Sequence, residues 1–314
     1  MIFYLLIICF LLSLVLSALF SKLGKKYKLH DQANDDPLKI HTKSVSVLGG
    51  LAIFLTVYGV LFFKMAIERD FNARFLWIML AGFLIFLLGV VDDIIWRDRY
   101  RIARIYKFLF LVLFSLVATL LVFKADIALY FFNPPSAAVI LSFFLLFVLI
   151  NSVNYQDGMD GQAGGTVFIS LIGFIVLSII SGNSTVYTIS FLLASAILGF
   201  LVLNFPPAKI FMGDSGAYFL GFMLTVLAEG FFKPYNLAGA IGLFFVLGLP
   251  LFDGIFTNLR RLVAKKSIFI GDRSHFFDRV YNRTGSVAKT LFISCGVQII
   301  FVLIGILIYA NTSV

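Results

Sequence analysis

Five aspartates from three separated stretches carry the chemistry open to this chain. Asp92 and Asp93 close the apolar run FLWIMLAGFLIFLLGVVDD. Asp157 and Asp160 lie in NSVNYQDGMDGQAGG (151–165), and Asp214 in NFPPAKIFMGDSG (204–216). Carboxylates are hard oxygen ligands, and Mg²⁺ is typically held by one or two of them plus substrate phosphates. So small a set suits metal-assisted phosphoryl transfer, in which the protein mainly positions groups and stabilises charge. Adjacent helical residues point about 100° apart, so Asp92 and Asp93 cannot share a face and must divide two roles. Asn151, Asn154 and Asp157 recur every three residues at the end of an apolar helix, which lines them along one stripe. Turn chemistry accounts for the Gly and Asp of 157–161 but not for two Asn farther up the helix. Polar groups in a membrane span usually face a bundle interior or a cavity.

The third stretch supplies Asn204, an extended Pro206-Pro207 entry, and Phe211, an exposed ring on which a planar base can stack. Asp214 reads either as an Mg²⁺ ligand or, with Ser215, as a plain helix N-cap. Basic residues crowd a later segment, 258–287, with Arg260, Arg261, Lys265, Lys266, Arg273, His275, Arg279 and Arg283. Basic loops hold topology and attract anionic lipid. The piece GDRSHFFDR (271–279) is more specific, because a His between arginines suits a phosphate-rich ligand. Lys39, His41 and Lys43, ahead of Gly49-Gly50, read the same way. The three His fall in separate loops, and nothing has the ligand spacing of a zinc site. Cys9 and Cys295 sit inside apolar runs, so no disulfide framework is expected.

The elements that must position these groups are membrane helices. Mean hydropathy is +1.03. Charged residues make up 13% of the chain against roughly 25% in an ordinary soluble domain. Ten apolar stretches, near 2–20, 47–64, 75–92, 104–123, 137–154, 165–181, 186–203, 216–232, 238–257 and 288–310, each approach the roughly 20 residues that cross a bilayer. The expected fold is an all-α polytopic membrane protein, one integral domain over 1–314. Alternate loops hold 20 of the 25 Lys and Arg. The positive-inside rule makes those loops cytoplasmic and puts both termini on the extracytoplasmic side. No positive region precedes the first span, and Lys22, Lys25, Lys26 and Lys28 follow it, as in an anchor rather than a cleaved signal. The net charge of +9 therefore belongs to topology and membrane lipids, and no nucleic-acid partner is expected. The same rule asks for no acids on that face, so the aspartates need their own explanation.

Read in order, Gly89-Val-Val-Asp-Asp93, Asn151 to Gly165, Asn204 with Phe211-Met-Gly-Asp214, Pro250-Leu-Phe-Asp253 and Asp272-Arg-Ser-His275 resemble a known superfamily. It is that of the polyprenyl-phosphate N-acetylhexosamine-1-phosphate transferases, glycosyltransferase family 4. The resemblance runs from Lys39 to Arg279 and implies transfer of a sugar 1-phosphate from a UDP-sugar to undecaprenyl phosphate. UMP would be released, and a bacterial surface polymer started at the inner membrane. It implies Mg²⁺, with Mn²⁺ as a substitute, on Asp214, and Asp92 and Asp93 as the catalytic pair at the lipid phosphate. The nucleotide-sugar would lie against Asn151, Asn154, Asp157, Asp160, Asn204, Phe211 and Gly213. Lys39, Lys43, Arg104 or Lys107, Arg273 and His275 would meet phosphate or sugar. A homodimer is left open. Three departures stand out: Ser44-Val-Ser-Val47 replaces the family's early proline, Gln162 replaces an apolar residue, and Phe276-Phe277-Asp278 replaces most of a His-rich segment. The last bears on which sugar is taken.

Two other classes compete. A secondary transporter would line a path with Asn and Asp near span midpoints, whereas these cluster at span ends. A CDP-alcohol phosphatidyltransferase would carry Asp-Gly-x-x-Ala-Arg, and Asp157-Gly158-Met159-Asp160-Gly161 lacks the Ala-Arg. A non-catalytic scaffold would have lost carboxylates that are all present here.

Overall fold

The computed structural model describes residues 2–31, 44–96, 102–125, 135–231, 236–265 and 273–312. The long helices in chain order are α1 (Ile2–Lys26), α2 (Gly49–Glu68), α3 (Ala73–Val91), α4 (Ile102–Lys124), α5 (Pro135–Gln156), α6 (Gln162–Ser181), α7 (Ser184–Asn204), α8 (Gly213–Glu229), α9 (Leu237–Val263) and α11 (Val287–Ala310). A short α10 (Phe276–Thr284) precedes the last. The protein is an all-α polytopic membrane protein. Its only paired strands among the described residues are two-residue pieces, His30–Asp31 against Val45–Ser46.

Nine helices, not the expected ten, are long and apolar enough to cross a bilayer among the described residues. The exception is α8, with 17 residues. At about 1.5 Å per residue it falls short of a hydrocarbon core about 30 Å thick. Its surroundings explain how it manages: every residue from Ser215 to Glu229 is buried, inside a sleeve that includes α2, α3 and α5. Protein, rather than lipid, is its solvent.

Backbone meets backbone inside that sleeve. A Cβ on Gly50 would stand 2.3 Å from the Gly216 Cα, and one on Gly89 2.3 Å from the Ser215 Cα. No side chain fits between these helices, so α2 and α3 deliver their ends directly against the start of α8.

The segment 258–287, read as one basic loop, instead contains the end of α9 and all of α10. Within α9, Gly248 (φ 51°, ψ −128°) interrupts the helix two residues before Pro250. A helical proline has no N–H and crowds the carbonyl four residues back. Gln298 of α11 fills the gap: its amide donates to the Val246 carbonyl (3.1 Å) and accepts from the Leu249 N–H (2.7 Å). Two backbone groups at the break are thereby satisfied, and the second half of the helix carries Asp253, Thr257 and Arg261.

Candidate active site

The first amides of α8 organise the acids. A helix start leaves its N–H groups unsatisfied and carries partial positive charge. Here carboxylates from two other elements take them. Asp157, in the turn after α5, accepts from the Gly213 N–H at 3.1 Å. Asp93 accepts from the Asp214 N–H at 2.8 Å and the Ser215 N–H at 3.0 Å. Gly213 has a φ of +75°, and a Cβ there would lie 2.9 Å from the Asp93 carboxylate. The cap expected of Asp214 or Ser215 is thus supplied from α3 and α5, and the Asp214 side chain is released for other work.

Asp92 and Asp93 lie in a π-helical turn, Asp92–Trp96, that continues α3. Their carboxylates part as the helical geometry requires. Asp92 accepts from the Tyr218 hydroxyl at 2.6 Å and pairs with the Lys107 ammonium. The same ammonium lies 3.6 Å from Asp214, whose other oxygen accepts from the Asn154 amide. Asp92 is 4% exposed, whereas the Lys107 and Asp214 side chains are 37% and 31% exposed. The cluster therefore opens to a ligand through Lys107 and Asp214.

The remaining polar residues predicted for the site join backbone to backbone. Asn204 accepts from the Gly161 N–H (3.1 Å) and donates to the Ile210 carbonyl (2.8 Å). Asp160 accepts from the Ala208 N–H at 2.8 Å. Ser46 bridges Ile210 in parallel, and its carbonyl accepts from the Phe211 N–H at 2.7 Å. The Gly49 and Gly50 N–H groups donate to the carbonyls of Phe211 and Met212 at 2.9 and 2.8 Å. The Phe211 ring is half-buried rather than open. Asn151 bonds back to the Phe147 carbonyl of its own helix (2.7 Å).

Crowding of acids has a cost at Asp157. Burial first, and then the charges of Asp214 and Asp93, push its carboxyl well above the usual carboxylate range against the opposing Gly213 N–H.

A second polar group forms where α9 meets α10. His275 pairs through Nδ1 with Asp253 at 3.2 Å, and Asp253 also accepts from the Phe276 N–H at 2.8 Å. Arg273 pairs with Asp278 at 3.3 Å. Asp278, pushed up by burial and held back by Arg273 and His275, also accepts from the His275 N–H. The His275 ring lies 5.1 Å from Tyr155, the residue after Asn154. Lys39 and Lys43 lie outside the described residues, and Arg104 is on the first turn of α4 with its side chain outside them.

Tyr218, Thr257 and Gln298 were not singled out from the sequence. Tyr218 had a readable signal, standing four residues after Asp214 and so one helical turn along the same face.

Carboxylates and one ammonium gathered at the start of a sheathed helix mark an integral membrane protein with a polar centre. The chain belongs to glycosyl transferase family 4, whose model matches residues 75–230, the span from α3 through α8. It is 33% identical over 298 residues to the undecaprenyl-phosphate alpha-N-acetylglucosaminyl 1-phosphate transferase of Thermotoga maritima, covering 94% of this chain and 87% of that protein. It is 31% identical over 287 residues to a protein of Bacillus subtilis named "Probable undecaprenyl-phosphate N-acetylglucosaminyl 1-phosphate transferase" (87% and 76%). The phospho-N-acetylmuramoyl-pentapeptide-transferase of Streptococcus pneumoniae is 30% identical over 249 residues, 76% of each chain.

Proposed function

We propose that the protein transfers an N-acetylhexosamine 1-phosphate from a UDP-linked donor to polyprenyl phosphate at the cytoplasmic face of a bacterial inner membrane. The observation that carries this reading is the group Asp92, Lys107 and Asp214, with one ammonium shared by two carboxylates. An oxygen of the lipid phosphate attacks the sugar-side phosphorus of the donor. The new P–O bond forms as the bond to UMP breaks, and UMP leaves with the electron pair. The products are UMP and a polyprenyl-diphosphate sugar, the starter of a cell-wall or surface polysaccharide.

The chain's own groups divide this work. Asp93 and Asp157 occupy the amides at the start of α8, so phosphate is met by side-chain cations rather than by that helix end. Lys107, the most open member of the cluster, would meet an incoming phosphate oxygen. Asp92, held by Lys107 and Tyr218, keeps that ammonium in place.

The donor set fits Mg²⁺. No three acidic, His or Cys side chains form a cage among the described residues, so phosphate oxygens would have to complete the ion's shell. Two carboxylates already converge on one cation, and one ammonium does not balance them together with an anionic substrate. Asp214, assisted by Asp92, would hold the ion, which when bound offsets charge building on the departing phosphate. The Lys and Arg bias supports cytoplasmic placement of this end.

The test is UMP release by purified protein given undecaprenyl phosphate and a panel of UDP-sugars. Release should stop with a chelator and return with Mg²⁺ or Mn²⁺. Asp214→Ala should lower it about 100- to 1,000-fold, the range that electrostatic groups supply, while the protein still inserts. Wild-type release from no donor, or full activity in the variant, would remove the assignment.

A further inference from the structure

Lys107 is the cation of the acid cluster, and its two carboxylates hold it unevenly. Both contacts of Asp92 fall on one oxygen: Oδ2 accepts from the Tyr218 hydroxyl at 2.6 Å and pairs closely with the Lys107 ammonium. Asp214 meets the same ammonium through Oδ2 at 3.6 Å and the Asn154 amide through Oδ1. The close contact is to a buried carboxylate, and the long one joins two half-buried side chains on the open side. The other acids are committed to backbone. Asp93 gives one oxygen to the Asp214 N–H and the other to the Ser215 N–H, and Asp157 gives one to the Gly213 N–H.

A divalent ion on Asp214 must therefore use an oxygen that already has a partner. Asn154 holds Oδ1 by a short hydrogen bond. Lys107 holds Oδ2 at a distance beyond hydrogen bonding, by attraction alone. Two cations on one carboxylate repel each other, so the weaker holder yields. A lysine can yield without leaving, because its charge rides on a flexible four-carbon stem.

We propose that Lys107 is a tethered counter-ion that a divalent ion displaces from Asp214, and that the released ammonium, still anchored on Asp92, receives the phosphate of the acceptor lipid. This rests on the transferase reading above and adds an order to it. An acceptor phosphate finds its cation only after the ion has taken Asp214, so loading the ion and preparing the phosphate site are one movement. Asp92 and Asp214 also face a positive charge at each stage, which a buried acid pair requires.

The test reads binding rather than turnover, on full-length protein in detergent. In the first titration, electron paramagnetic resonance follows free Mn²⁺. Lys107→Met should bind Mn²⁺ about 5- to 150-fold more tightly than the wild type, the ordinary range of coupling between two sites. Lys107→Arg should bind it more weakly, since a guanidinium fork holds two carboxylates at once. That variant keeps the charge and decides the matter if Lys107→Met fails to fold. Equal or weaker Mn²⁺ binding in Lys107→Met, or binding by Lys107→Arg as tight as in the wild type, overturns the proposal.

The second titration uses farnesyl phosphate, a short prenyl phosphate, with and without Mn²⁺ and with no sugar donor. In the wild type Mn²⁺ should strengthen its binding over the same range, and in Lys107→Met that gain should vanish. The gain that Mn²⁺ gives to UDP should survive in the variant. A farnesyl phosphate gain that also survives would mean that the phosphate meets the ion itself, and it overturns the proposal. So does wild-type binding that Mn²⁺ leaves unchanged. Absence of UMP release by the wild type with every donor would instead count against the transferase reading, and the Mn²⁺ titrations would still decide whether ion and ammonium exchange.

Discussion

The start of α8 and the α9–α10 junction are both polar, but they are built by opposite means. At α8, backbone does the positioning: three successive amides are held by Asp157 and Asp93, and glycines let α2 and α3 touch the helix directly. At the junction, side chains do it: Asp253, Thr257 and Asp278 hold His275, with rings on either side. The proposed site for phosphates and a divalent ion has one geometry to reproduce, and backbone cannot be re-rotamered. The junction is held by side chains, which are the replaceable part of a protein. The family model ends at residue 230, and the departure Phe276-Phe277-Asp278 falls in the replaceable region.

The largest effect should come from Gly89→Ala. A Cβ there meets backbone, which cannot yield, and overpacking of this kind costs about 1–3 kcal/mol or more. UMP release should be lost and the thermal midpoint should fall. Gly285→Ala, at the end of α10, has open space around it and only a φ of +63° to oppose it. It should cost about 1–2 kcal/mol and leave turnover within a few-fold. Equal damage from both would dissolve the contrast between the regions.

Next in size is a comparison inside the acid pair. Asp93→Asn keeps one acceptor for two amides and turns an NH₂ toward the other, a loss of about 1–3 kcal/mol. Asp92→Asn leaves Lys107 its Asp214 contact. Melting in detergent should therefore fall more for Asp93→Asn, while both lose most turnover. A larger fall for Asp92→Asn would reverse the division of roles.

The smallest effect is expected of Tyr218→Phe, which deletes one hydroxyl and keeps the ring. Loss of about 1.4 kcal/mol of positioning is about 10-fold in kcat, with donor KM unchanged. A rise in KM alone would place Tyr218 with the donor contacts instead.

Much of this was legible in the chain and some was not. The spans, the acids and their order are local features, and the 100° rule already separated Asp92 from Asp93. What Asp93 does was not legible, because its partners stand 121 and 122 residues away. Asn204 and Asp160 read as ligand groups, and their backbone partners 43 and 48 residues distant were likewise not legible. Pro250 announces a break by its missing N–H, but nothing local says that Gln298 would repair it. The helix α10 was hidden because its N-terminal signal is a box of His275 with Asp278, and His is not among the usual cap residues. The eighth span read as an ordinary crossing, since hydropathy does not distinguish lipid from protein as the apolar neighbour.

That last point bears on how the protein is made. A helix of 17 residues with Asp214 near one end and Glu229 at the other gains little by entering lipid alone. Its sleeve helices α2, α3 and α5 all precede it in the chain, so they can be waiting in the bilayer when it leaves the ribosome. Until it arrives, Asp93 lacks the amides it accepts and the helix ends around it have nothing to close on. Insertion of α8 is then the step that closes the acid cluster, and synthesis order has placed it after the α2, α3 and α5 walls that sheath it.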